Sequence, residues 1–84
     1  MNQAKELIDL IGNTPIIQVK RLDTGKCNLF LKLENINPGY SIKDRVALNI
    51  INNAEKEGQL NKDSTIIEAS AGNTALGLAL IARI

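Results

Sequence analysis

The run Ala75-Leu76-Gly77-Leu78-Ala79-Leu80-Ile81-Ala82-Arg83-Ile84 constrains this chain more than any other feature. Coiled as a helix it is apolar on nearly every side, and such a helix is stable only when neighbours cover several of its faces. It is about half as long as a bilayer span, so lipid is not the cover. Nor can 84 residues supply it, since a chain of that size buries only about 60 to 65% of the surface it exposes when unfolded. The run reaches Ile84 without the Gly, Asn or Pro that ends a helix. The expectation is the opening piece of a longer domain, cut inside an element.

Composition narrows the function classes. With 44% apolar and 23% charged residues the chain reads as globular protein. Ten basic residues nearly cancel nine acidic ones with no like-charge block, which offers no footprint for nucleic acid or an anionic membrane. One cysteine, Cys27, precludes an internal disulfide, and the absence of histidine removes the commonest metal ligand and acid-base group. A reducing cytoplasm fits that usage, and the Met-Asn-Gln-Ala-Lys-Glu start lacks the basic and apolar runs of a secretory signal.

Along the chain, Leu7, Ile8 and Ile11 at helical spacing predict a short helix over Ala4 to Ile11, stopped by Gly12-Asn13-Thr14-Pro15. Ile16 to Lys20 and Leu29 to Glu34 read as strands about an Asp23-Thr24-Gly25-Lys26 turn, with Leu29, Leu31 and Leu33 on one face. Asn35 to Tyr40 reads as a loop. Ser41 is the expected cap of a helix from Ile42, with Asp44 facing the free amides and Gly58 closing the other end. Val46, Ala47, Ile50, Ile51 and Ala54 form its apolar face. Thr65 to Ala69 reads as a short buried strand, and Ser70 to Asn73 as the turn into the last helix from about Thr74. A helix joining two strands builds parallel sheets, which bind ligands at their carboxyl edge. That edge would hold Asn37 to Lys43 and Ser70 to Thr74, unless the first strand belongs to another sheet.

Two segments could carry chemistry. Lys43 falls in the first turn of a helix, where the dipole disfavours a cation by roughly 0.3 to 1 kcal/mol. A lysine whose charged form is destabilised is the kind that makes Schiff bases, although a first-turn lysine can also simply reach into solvent. In Ser70-Ala71-Gly72-Asn73-Thr74, small and polar residues open a helix whose amides can receive a carboxylate or phosphate. Gly72 permits close approach, Asn73 can donate and accept, and the Ser70 and Thr74 hydroxyls can donate; a plain capped helix start explains the same residues. Gly12 to Pro15 is a turn or a cleft wall. Cys27 has no histidine to activate it, and Glu34 and Glu68 read as solvated or paired carboxylates rather than an acid-base pair.

Three motifs in order, Ile11-Gly12-Asn13-Thr14-Pro15, then Lys32-Leu33-Glu34 with Asn37-Pro38-Gly39-Tyr40-Ser41-Ile42-Lys43-Asp44-Arg45, then Ile67-Glu68-Ala69-Ser70-Ala71-Gly72-Asn73-Thr74, closely resemble the N-terminal part of the cysteine synthase and cystathionine β-synthase family. The resemblance runs from about Leu7 to Ile84. It implies an α/β chain, the incomplete N-terminal part of a two-domain fold-type II enzyme with three-layer αβα parallel sheets. Residues 1 to 40 would then join the larger domain and 41 to 84 begin the smaller, mobile one. The implied cofactor is pyridoxal 5'-phosphate, and the longer protein would be a homodimer acting on a small amino-acid substrate. Lys43 matches the lysine that holds the cofactor and moves the substrate α-proton, Asn73 the residue bonded to the cofactor phenolic oxygen, and Ser70 to Thr74 the loop gripping the substrate carboxylate. In the family a leaving group departs from the β-carbon of a serine-like substrate, and a thiol or sulfide adds.

Two departures qualify what the resemblance implies. Where the family usually reads Thr-Ser-Gly-Asn-Thr, Ser70-Ala71 stands here, and one lost hydroxyl costs roughly 0.5 to 1.5 kcal/mol, or up to 3 if it met a charge. Tyr40 stands where some members have Gly and others an aromatic, so it does not choose a subfamily. The family's phosphate-binding loop and its residue facing the pyridine nitrogen lie beyond position 84, so the chain by itself is expected to be inactive. The competing expectations are a serine or threonine dehydratase of the same fold and a non-catalytic piece acting in binding or assembly.

Overall fold

Apolar residues recurring at helical spacing produce the best-defined part of the molecule. In the computed structural model, which describes residues 6–84, helix α1 spans Lys43–Lys56 and helix α2 spans Asn73–Arg83. Ala47 and Ile51 of α1 meet Leu78 and Ile81 of α2 in the buried core, with Ile8, Ile11, Leu48 and Leu60 packed around it. Gly58 closes α1 as expected. At φ +76° it takes the left-handed conformation, donating to the Glu55 carbonyl at 3.1 Å while Gln59 donates to Ala54 at 2.9 Å.

The start of α1 differs from expectation in two details. Ile42 rather than Ser41 stands at the cap position, and the Ser41 Oγ, one residue further out, accepts the amide of Lys43, the first residue of α1, at 3.1 Å. Asp44 turns away from the helix amides, accepts the Gly39 amide at 2.5 Å and is fully buried. A short carboxylate reaches a loop amide that folds back over it, and that local bond displaces the expected dipole contact.

Upstream, strands β1 (Ile16–Gln18) and β2 (Phe30–Lys32) form an antiparallel pair with Ile17 opposite Leu31. Both are shorter than their apolar runs predict. Ile16, Ile17, Phe30 and Leu31 are all exposed, so apolar side chains stand uncovered on both faces of the ribbon. The helix expected over Ala4 to Ile11 is a single 3-10 turn, Leu7–Leu10, because Gly12 (φ +88°) and Asn13 (φ +48°) turn the backbone left-handed at once. Residues 4 and 5 lie outside the described residues. A second 3-10 turn, Glu34–Ile36, leads from β2 into the loop before α1.

Thr65 to Ala69 is neither a strand nor buried, and all five residues are exposed. A strand needs a ladder partner, and β1 and β2 pair only with each other. Ile67 is consequently 90% exposed. No parallel pair forms among the described residues, where β1 and β2 make an antiparallel ribbon.

The dimensions agree with an incompletely covered body. The radius of gyration is 16.3 Å, against about 12 Å for a compact domain of this length. Its accessible surface is 6962 Å², against about 4,900 Å² for a folded monomer of the same mass.

Candidate active site

Residues distant in sequence meet at Glu34. Its carboxylate accepts Arg45 Nε at 2.5 Å and Nη2 at 3.2 Å, and the Thr14 hydroxyl also donates to it. Asn37, fully buried, donates to the Glu34 carbonyl at 2.9 Å and to the Ser41 carbonyl at 3.1 Å, while its Oδ1 accepts the Gly12 amide at 2.8 Å. Arg45 lies over Gly12, where a Cβ would come within 3.2 Å of Nη1. The Lys32 ammonium donates to the Thr14 carbonyl. Hydrogen bonds thus join the Gly-Asn-Thr-Pro, Lys-Leu-Glu and Asn-Pro-Gly motifs into one body.

This cluster holds the Glu34 carboxyl well below its ordinary 4.5, at about 2, chiefly through the Arg45 hydrogen bond and then the Thr14 one. The same contact raises the Arg45 guanidinium further. A carboxylate depressed on folding contributes stability that is fully present above about pH 4.5 and lost as pH falls toward 2. Acid titration followed by circular dichroism is expected to show a loss in that window that Glu34→Gln removes. An unchanged acid limb in the variant would contradict it.

Lys43 leaves this body with its side chain exposed. Its main chain is enclosed: a Cβ on Gly77 would stand 2.9 Å from the Lys43 carbonyl oxygen and 3.3 Å from Ala47 Cβ. Gly77 weakens α2 by roughly 0.5 to 1 kcal/mol relative to Ala, and close helix approach is what that glycine permits. Gly77→Ala recovers that propensity but overpacks the contact by about 1 to 3 kcal/mol, so a net loss of about 1 kcal/mol is expected in denaturant unfolding.

One turn before Gly77, α2 begins at Asn73. Ser70 Oγ accepts the amides of Gly72 at 3.2 Å and Ala75 at 3.3 Å, which leaves its own proton to donate. The amides of Asn73 and Thr74 have no acceptor among the described residues. Gly72 opens on free space, with no atom within 4 Å of a Cβ built there. Gly72 and Asn73 are exposed, and Ser70 and Thr74 half-buried. The structure therefore brings the Lys43 backbone to within a turn of the Ser70 to Thr74 segment, and no hydrogen bond joins the two among the described residues.

The remaining candidates separate from this arrangement. Glu34 is paired, Glu68 exposed, and Cys27 a free exposed thiol. Among the described residues no group of three or more His, Cys, Asp and Glu could hold a metal, and no helix is long and apolar enough to cross a membrane. Sequence reasoning placed Asn37 in a candidate segment and Thr14 in a possible cleft wall without giving either a role, and it missed Arg45 and Gly77. Only Gly77 carried a local signal, a helix-weakening residue within the most apolar run.

Comparison with known proteins matches this geometry to one group. The family described as "Pyridoxal-phosphate dependent enzyme" matches residues 7–84. A cysteine synthase of a Flavobacterium species is 52% identical over 77 residues, 92% of this chain and 25% of that protein. Cystathionine beta-synthase of Saccharomyces cerevisiae is 48% identical over 82 residues, 93% of this chain and 16% of the relative. The crystal structure of a hydrogen sulfide-producing enzyme from Fusobacterium nucleatum superposes with a TM-score of 0.93 at 52% identity, covering 96% of this chain and 27% of that one. The chain thus spans about a quarter or less of these relatives, and its fold is that of the N-terminal part of a fold-type II enzyme. On a match that runs through all three motifs, the chain belongs to the pyridoxal-phosphate dependent enzymes.

Proposed function

We propose that the protein to which this chain contributes catalyses β-replacement on a serine-type amino acid. The two forms of that reaction are cysteine synthesis from O-acetylserine and sulfide, and cystathionine synthesis. The observation that carries the reading is the exposed Lys43 amine, set on a helix start whose main chain lies within a turn of two acceptor-free amides. The donor set fits the family's cofactor, with a primary amine for its aldehyde and the Asn73 side-chain amide for its phenolic oxygen. When bound, pyridoxal phosphate supplies an electron sink for charge developing at the substrate α-carbon.

The chain's own residues do the rest. Lys43 would hold the cofactor through its amine, and its Nζ would take up the substrate α-proton. The Asn73 and Thr74 amides, the positive end of α2 and the Ser70 and Thr74 hydroxyls hold the substrate carboxylate, with Gly72 leaving room for it. Ala71 contributes no hydroxyl, which weakens that grip relative to a serine. Residues 1 to 40 are assigned to the larger domain and 41 to 84 to the smaller, and the active protein is a homodimer. The isolated 84 residues hold the cofactor only loosely, because their uncovered surfaces leave the site without walls.

Borohydride reduction of the cofactor-loaded full-length protein, followed by peptide mapping, tests the assignment. Pyridoxyl label is expected on Lys43 there, and spread over several lysines in the isolated chain. Label confined to another side chain of the full-length protein overturns it.

A further inference from the structure

Glu34 lies nine residues before Lys43 and, among the described residues, makes no hydrogen bond to its amine or to the α2 helix start, yet it grips the lysine's turn from both sides. On the far side it holds Arg45, two residues past Lys43, through a bidentate pair at 2.5 and 3.2 Å. On the near side, Asn37 bridges from the Glu34 carbonyl to the carbonyl of Ser41, two residues before Lys43. Every group facing the carboxylate is a donor: the Thr14 hydroxyl, the Arg45 guanidinium and, at 3.3 Å, Asn37 Nδ2. The third restraint is the Lys43 carbonyl against Gly77.

We propose that Glu34 is a positioning residue for Lys43: its side chain and carbonyl lock residues 41 to 45 as one arch, so the lysine amine projects in a single direction. The inference rests on reading Lys43 as the cofactor anchor. Carboxylate chemistry is required for the role, because a glutamine would turn its own NH2 toward one of these donors. A displacement of about 1 Å in a reacting group costs up to about a hundredfold in rate.

The experiment compares Glu34→Gln with Ile51→Val, a core change remote from the lysine, in the full-length protein. Both are held well below their melting temperatures. Apoprotein is mixed with pyridoxal phosphate, trapped with borohydride at successive times, and the label on Lys43 is quantified against total pyridoxyl label. Visible circular dichroism reports the orientation of the bound cofactor. Glu34→Gln is expected to slow labelling of Lys43 by about ten- to a hundredfold and to change the visible dichroism, whereas Ile51→Val leaves both unchanged. Equal behaviour of the two variants overturns the proposal, since a brace that only stabilised the fold would act alike in both. Should Glu34→Gln fail to fold, Arg45→Lys keeps the charge but loses the fork, and the same slowing or its absence decides. Label on another residue of the unsubstituted protein refutes the anchor itself, while label on Lys43 at an unaltered rate in the variants refutes only the positioning role.

Discussion

Lys43→Ala is expected to abolish covalent attachment of pyridoxal phosphate to the full-length protein and to leave the thermal midpoint of the cofactor-free form unchanged or slightly raised. The two halves of that result have separate causes. Loss of attachment follows from removal of the amine assigned to the cofactor aldehyde. Retained stability follows because the side chain is exposed and the fold contact at this position is made by the main-chain carbonyl against Gly77. Removing a cation from the first turn of α1 relieves roughly 0.3 to 1 kcal/mol, and alanine is the best helix former. Visible absorbance of the dialysed protein and a melting curve check both. A persisting cofactor band, or a midpoint of the cofactor-free variant more than a few degrees below that of the cofactor-free parent, would show that position 43 does something else.

Gly39→Ala is expected to cost about 3 kcal/mol, although it adds a single methyl group. A Cβ there would stand 2.9 Å from Asp44 Cγ and collide with Oδ1. Asp44 cannot swing into water, being fully buried, and Oδ1 already lies without a hydrogen-bond partner. The methyl therefore breaks the bond from the Gly39 amide to Oδ2, and a hydrogen bond to a charged group contributes about 1.5 to 3 kcal/mol. Strain passed into the first turn of α1 adds to this. In a double-mutant cycle Asp44→Ala is costly alone, but Gly39→Ala adds little once it is present, because the collision has gone. Additive losses from urea unfolding would mean that the two residues do not share one space.

Helix α1 was legible because its information is local: apolar spacing, a polar start and Gly58 at its end. The same holds for the left-handed turn at Gly12 and Asn13. Thr65 to Ala69 was misread since β-branched residues report a tendency to pair, whereas pairing depends on a partner strand that no local pattern can supply. The acidic residue at position 44 usually answers the helix dipole, and nothing in its own neighbours reveals that a loop amide takes it instead. Motif resemblance singled out Lys43 and the Ser70 to Thr74 segment as candidates but attached no role to Thr14, Asn37 or Arg45. Those three act on Glu34 across separations of up to 20 residues, and Thr14 meets Arg45 across 31, distances over which side-chain partners are set by the fold alone.

The ribbon of β1 and β2 carries a demand of its own. Side chains alternate along a strand, so Ile17 and Leu31 stand on one face while Ile16 and Phe30 stand on the other. A single slab laid against it would leave half of that grease wet. To dry this ribbon, cover would have to reach both of its sides.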